Sequence, residues 1–180
     1  MRRIVAHSAP YILLQIATHL VPRDVQATES AELTFDQRER SRVRVALASG
    51  EEIGIQIKIG SMLSHGDKLA LQDGRIVEVI AANESLHEVR AANFAQLARI
   101  AYHVGNRHVP LQVEDDHLLM LPDHVLRAMV EGLGGSVTEV RRGFQPESGA
   151  YGHSHVHHSH DDEGHGGKIH DDLQPRNEDR

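Results

Sequence analysis

Histidine carries the strongest chemical signal in this chain. Fifteen of the 180 residues are histidine and none is cysteine. A disulfide, a thiol nucleophile and a thiolate metal site are therefore unavailable, and any metal must be held by imidazole, carboxylate or backbone oxygen. Seven of the histidines follow residue 152: His153, His155, His157, His158, His160, His165 and His170, with Asp161, Asp162 and Glu163 among them. Neutral imidazole is the commonest metal ligand in proteins and suits nickel, copper, zinc and iron. A segment so rich in it can wrap an ion without a prebuilt cage. The plain alternative is a solvated low-complexity tail with no duty. Raw affinity rises toward copper in the divalent series, so the ligand set alone does not choose nickel over zinc or copper.

Four further histidines stand where the chain has a foldable pattern. His103 and His108 lie five apart in Tyr102-His103-Val104-Gly105-Asn106-Arg107-His108-Val109-Pro110. His103 reads as part of a helix's last turn, where a cationic or donating side chain favours the dipole. His108 reads as the start of a strand just past the helix stop, near a surface edge. One histidine does not hold an ion tightly, but a twofold dimer presents the same histidine twice. His117 and His124 read as surface polar residues. Asp123 beside His124 offers a weak second site, because adjacent side chains at a helix start point in different directions.

These residues sit on elements that the hydrophobic pattern outlines. Residues 1–73 read as a small all-β domain. Arg42, Val43, Arg44 and Val45 alternate, and Ile53, Ile55, Ile57 and Ile59 fall on one face, the period-two signature of a half-buried strand. Gly54 leaves a gap on the opposite face. Residues 75–82 read as a strand opening a second domain, 74–146. There Phe94, Leu97, Ala98 and Ala101 form a helical stripe, and Gly105-Asn106 supplies the stop. Strands follow at 109–114 and 117–121, then a helix with Leu126, Met129, Val130 and Leu133 inward. Gly134-Gly135 ends that helix, and a last strand covers 136–142. The order β-α-β-β-α-β is that of the ferredoxin-like unit, making the fold α+β. From Phe144 onward there are eight acidic and three basic side chains. Residues 147–180 cannot bury a core and read as a disordered tail when unliganded.

Several function classes are disfavoured. A net charge of −7 with three Phe, three Tyr and no Trp lacks the basic stripes and stacking platforms of a nucleic-acid groove. No run reaches the roughly 18 apolar residues of a membrane span. The opening Met1-Arg2-Arg3-Ile4-Val5 is interrupted by His7 and Pro10 before any signal-peptide core develops, so the expected compartment is the cytoplasm. Catalysis lacks a HExxH pair, a nucleophile elbow and a phosphate-binding glycine loop, and the chain is read as a non-enzyme.

Residues 105–112, Gly-Asn-Arg-His-Val-Pro-Leu-Gln, preceded by Tyr102-His103, resemble the signature of the urease accessory nickel chaperone family, UreE. Ser41-Arg42-Val43-Arg44-Val45, Gly66-Asp67-Lys68-Leu69 and residues 144–151 agree with that family in the same order, as does a histidine-rich tail. The resemblance implies a homodimer with an N-terminal β domain and a ferredoxin-like metal-binding domain, one Ni²⁺ lying between two copies of His108. It implies as partners the urease accessory GTPase and, through it, the urease apoenzyme. His103 matches a family histidine of lesser importance. Asp123-His124 falls where some members carry a His-x-His pair, but Pro122 stands at the first of those positions here. The combined reading is a nickel metallochaperone with metal ligands His103, His108, His124 and the tail histidines. Its alternative is a general store for nickel or zinc, and Zn²⁺ or Cu²⁺ are expected to bind in vitro.

Overall fold

Alternation along the chain builds two sheets around one core in the first half of the protein. The computed structural model describes residues 14–147. Strands β1 (Gln15–Ala17), β4 (Arg42–Ala46) and β5 (Glu52–Gln56) form a sheet in the order β1-β5-β4. Strands β2 (His19–Val21), β3 (Glu29–Leu33), β6 (Lys68–Ala70) and β7 (Ile76–Ala81) form another, ordered β2-β6-β7-β3. In the β4–β5 hairpin Val43 faces Ile55 and Val45 faces Ile53. Val45, Ile53 and Ile55 join Leu33, Leu69, Val77 and Val79 in a core drawn from both sheets. The hairpin turns at Gly50, whose φ of 87° suits a residue without Cβ. Of the four isoleucines expected on one buried face, the first three are buried. Ile59 is 87% exposed, because β5 ends at Gln56.

Two sequence expectations are corrected here. The first domain is not purely β: a helical turn α1 (Phe35–Glu39) opens on a capping box at Thr34. The Gln37 N–H donates to the Thr34 hydroxyl, and Gln37 Oε1 accepts from the Thr34 N–H at 2.9 Å. The second correction moves the boundary placed at 73/74. Strand β7 pairs with β3 and β6, in the first domain's own sheet, so the second domain's strands begin with β8 (Asn83–Arg90).

From there the order is β8, α2 (Phe94–Gly105), β9 (Gln112–Val113), β10 (Leu118–Met120), α3 (His124–Gly132) and β11 (Ser136–Gly143). The four strands pair antiparallel in the order β11-β8-β10-β9. One core gathers Val89, Leu118, Met120 and Val137 from the sheet with Leu97, Ile100, Val104, Leu126 and Val130 from the helices. Gly134, at φ 83°, takes the left-handed conformation after α3 that the sequence assigns to the Gly134-Gly135 stop.

The two domains are joined by a third cluster. Leu86, Leu119 and Phe144 bury together with Phe35 of α1, the Phe35 and Phe144 rings meeting edge to face at 5.2 Å. Arg38, 1% exposed, lies over the Phe35 ring and donates to the carbonyls of Leu63 and Phe144. Burial lowers the affinity of its guanidinium for a proton, an effect that Glu84, Glu39 and Asp67 oppose only in part. No helix among the described residues is long and apolar enough to cross a membrane.

Candidate metal site

Helix α2 leads directly to His108. Asn93 caps its start by accepting from the Gln96 N–H at 3.0 Å. At its other end the chain tightens through consecutive bonds, Arg107 N–H to Val104 O at 3.0 Å and His108 N–H to Gly105 O at 2.9 Å. Asn106 stays right-handed, and the left-handed residue is His108 itself, at φ 55°. The helix stops at Gly105-Asn106 as expected, but the left-handed conformation falls on His108 and not on either of those residues. His108 does not begin a strand, because β9 starts only at Gln112. It stands exposed in a turn, in a conformation that costs most side chains free energy but that histidine adopts more often than β-branched residues do. A second donor reinforces this turn: Arg107 Nη1 bonds the His103 carbonyl at 2.8 Å.

The apolar stripe of α2 is rotated from the one expected. Leu97, Ile100 and Val104 are buried, whereas Phe94 is 79% exposed and Tyr102 66% exposed. Phe94, Ala98 and Ala101 instead line an open groove of about 260 Å³ with Val113 of edge strand β9 and Leu118. An apolar strip therefore runs along the free side of α2 toward the turn that carries His108. Exposed apolar surface of this kind marks an interaction site more often than chance.

The other candidate ligands are dispersed. His103 is half-buried in the last turn of α2, its ring edge-on to Tyr102 at 5.5 Å. At about 100° per residue, it lies on a different side of the helix from Ala98 and Ala101. His124 is the exposed first residue of α3. The neighbouring Asp123 spends its carboxylate as a helix cap, Oδ1 accepting from the Val125 and Leu126 N–H groups at 2.7 and 2.9 Å. Those bonds, Leu126's first, hold its pKa below the ordinary carboxylate range. Among the described residues no three His, Cys, Asp or Glu side chains gather into a metal-holding group. His153, His155, His157, His158, His160 and His165 lie outside the described residues.

Two buried histidines escaped the sequence reading. His117, expected at the surface, is 9% exposed. Its Nδ1 lies 2.6 Å from Asp116 Oδ1 and its Nε2 3.2 Å from the Arg142 guanidinium. The guanidinium can only donate, so Nε2 accepts and Nδ1–H donates to Asp116. Both ring nitrogens are engaged, and neither is free for a metal. His117 and Arg90 together lower the Asp116 carboxyl to about 2. His87 on β8 is 4% exposed between Met120 and Glu139 of the flanking strands, and its Nδ1 has no hydrogen-bond partner among the described residues. Strand alternation carries a signal for His87, since residues 87 and 89 share the inward parity of β8. Nothing in the local sequence marks His117 as buried, and its partner Arg142 is distant in the chain.

The chain matches two family models along most of its length. Residues 14–82 match the UreE urease accessory protein, N-terminal domain, and residues 84–171 the C-terminal domain. Among curated relatives, Urease accessory protein UreE of Dechloromonas aromatica (strain RCB) is 51% identical over 136 residues, covering 73% of this chain and 78% of the relative. The protein of the same name from Acinetobacter baumannii (strain AYE) is 50% identical over 133 residues, covering 73% and 83%. That of Pseudomonas fluorescens (strain Pf0-1) is 47% identical over 152 residues, covering 84% and 91%.

Proposed function

Because this chain belongs to the UreE urease accessory protein family, we propose that it is a cytoplasmic nickel chaperone that carries Ni²⁺ for assembly of the urease active site. The second domain is ferredoxin-like in this reading, a label that its β-α-β-β-α-β order and its β11-β8-β10-β9 sheet support. The protein works as a homodimer, its apolar α2–β9 strip covered by a second copy. Each copy contributes His108, and the paired imidazoles hold one ion. The tail histidines gather further ions and pass them on. The recipients are the urease accessory GTPase and, through it, the urease apoenzyme. No catalytic step is assigned to the protein.

The observation that carries this reading is the setting of His108. The residue is exposed and held in a left-handed turn at the end of the helix whose free side is apolar. A half-site of one imidazole is useless alone, and a neighbouring dimerisation surface supplies its missing half. A chaperone must also release its ion, which few neutral ligands at an exposed site allow. His103 and His124 are auxiliary donors in this scheme, each too far from a ready-made cluster to bind tightly alone.

The test is a nickel titration of the protein ending at Glu147, with mass measured on the intact complex. One Ni²⁺ per two chains is expected, and His108→Ala should abolish it while the dimer persists without metal. A tail that only stores metal would leave urease activation intact in full-length His108→Ala. One ion per single chain, or full activation by that variant, contradicts the proposal.

A further inference from the structure

The seam between the two domains holds a small polar pocket that nickel carriage does not use. Its walls are His65 and Ala81 of the first domain and Gln112, Gly143 and Gln145 of the second, around a space of about 200 Å³. Gly143 lets the two backbones come together there, since a Cβ on it would lie 3.2 Å from the Ala81 carbonyl oxygen. The space is smaller than the roughly 300–1,000 Å³ of pockets that enclose drug-sized ligands. Its occupant is therefore a group of a few atoms.

The hydrogen bonds around the pocket decide which kind of group it takes. The Ala81 N–H donates to His65 Nδ1 at 3.2 Å, so the neutral ring carries its hydrogen on Nε2. The His65 N–H donates to Gln145 Oε1 at 2.9 Å, and the Gln145 N–H donates to Gln112 Oε1 at 2.6 Å. Gln112 Nε2 in turn donates to Glu114 Oε1 at 2.6 Å. Each side-chain acceptor of the pocket thus already holds a backbone hydrogen. Left without a partner among the described residues are two donors, His65 Nε2–H and the side-chain amide of Gln145.

The charges nearby agree with the donors. Arg38 donates to the carbonyls of Leu63 and Phe144, which are chain neighbours of His65 and Gln145, so a buried cation stands behind the same seam. Two carboxylates of adjoining residues are engaged elsewhere, Asp67 with Arg23 at 2.7 Å and Glu114 with Gln112 and, at 4.0 Å, Arg142. We propose that this pocket binds a small free oxyanion, a carboxylate or phosphate, whose oxygens accept from His65 Nε2 and from the Gln145 amide. Hydrogen bonds to an ionised acceptor are the strong ones, and this ligand takes one from each domain, so it pins the two together. The site shares no residue with the proposed nickel ligands and survives the failure of that reading.

The probes are sodium acetate and sodium phosphate, added separately at constant ionic strength to the full-length, isotope-labelled protein, with sodium chloride as the control. Magnetic resonance follows the side-chain amide of Gln145 and the backbone amides of residues 65 and 81. Saturable shifts are expected with acetate, phosphate or both, none with chloride, and a melting temperature that rises with the bound anion. The two arms tell a planar ligand from a tetrahedral one. Gln145→Glu keeps an acceptor for the His65 N–H but puts a negative charge where the donor was. His65→Asn keeps an acceptor near the place of Nδ1 and lacks the outer donor. Each should weaken binding about tenfold or more, as read at the backbone amides. Nickel uptake by each variant should equal that of the parent, which separates this pocket from the metal site. Shifts that grow without saturating mean an adventitious ion only and overturn the proposal, as does an equal response to chloride. Unchanged affinity in either variant overturns it too, and should one variant fail to fold, the other decides.

Discussion

Glycine at position 108 separates a ligand from a structural residue more cleanly than alanine does. At φ 55° the His108 backbone occupies a conformation that costs an L-residue about 1–2 kcal/mol, at the lower end for histidine. Glycine removes that cost and adds about 0.5–1 kcal/mol of unfolded-chain entropy, so the two nearly cancel. At this chain length about 1 kcal/mol moves the melting point by about 2–4 °C. Apo His108→Gly should therefore melt within about 2 °C of its parent. His108→Ala keeps the strained backbone, loses only an exposed side chain, and should lie within about 1 kcal/mol of it. Metal binding should respond quite differently. Changing a residue that merely supports a ligand lowers metal affinity by about 10–100-fold; removing both imidazoles of a shared ion should exceed that range. The assay is calorimetric nickel titration of the protein ending at Glu147, beside scanning calorimetry without metal. A glycine variant that binds nickel within about threefold of its parent refutes the assignment, and so does one that melts far below it.

Further predictions concern the frame and the pH response. Gly135→Ala would push a Cβ to 2.7 Å from Ile100 Cδ1 and 3.2 Å from the Arg90 carbonyl, so urea unfolding should show a loss of about 1–3 kcal/mol; a change under about 0.5 kcal/mol means the turn relaxes freely. Arg38→Met fills the space but leaves the Leu63 and Phe144 carbonyls without their donor, and about 1–3 kcal/mol should be lost in the same experiment. Asp116 titrates near 2 when folded against 3.8 when free. Its stabilising effect is complete above about pH 4 and disappears as pH falls toward 2. The urea midpoint should accordingly fall between those values, and fall less in Asp116→Asn. Nickel affinity of the full chain should drop steeply from about pH 7.5 to 5.5, as protons compete for imidazole; a flat profile would assign the metal to Asp161, Asp162 and Glu163.

What could be read from the sequence follows the range of the interactions involved. Strand β5 and helix α3 are legible because period and local stop signals coincide: Ile53 with Ile55, Leu126 with Val130, then Gly134. The capping box at Thr34 and Gln37 is equally local, yet an otherwise β-rich stretch concealed it. The domain boundary fails for a different reason. Strand β7 has the same apolar alternation whichever sheet receives it, and only pairing with β3, more than forty residues earlier, decides. In α2 the difficulty is one of phase. Phe94, Ala98 and Ala101 are as apolar as Leu97, Ile100 and Val104, so both arcs fit a helical stripe, and the sheet covers just one. His108 was legible as a residue type but not as a conformation. A glycine two or three positions earlier is the usual place for a left-handed stop, yet here histidine itself takes that role. His117 was hidden because its environment is assembled from Arg90, Asp116 and Arg142.

The exposed arc of α2 and the isolation of His108 are two halves of one physical problem. The described residues leave an apolar strip uncovered and His108 exposed in its turn. In the proposed dimer a second copy covers the strip and brings two donors to one axis, so that the ion and the interface stabilise each other. Thermodynamic linkage then fixes the direction of both effects. On that proposal, whatever weakens a dimer contact at Phe94 or Val113 weakens nickel binding, and nickel at about a hundred times its dissociation constant tightens the dimer by about 2.7 kcal/mol. A cage built within one chain would have no such dependence on protein concentration. It would also give a recipient nothing to pull on, because release would require dismantling a folded cluster. A site closed by two imidazoles at a surface needs only an incoming ligand set of greater number, with the fold of each subunit left undisturbed.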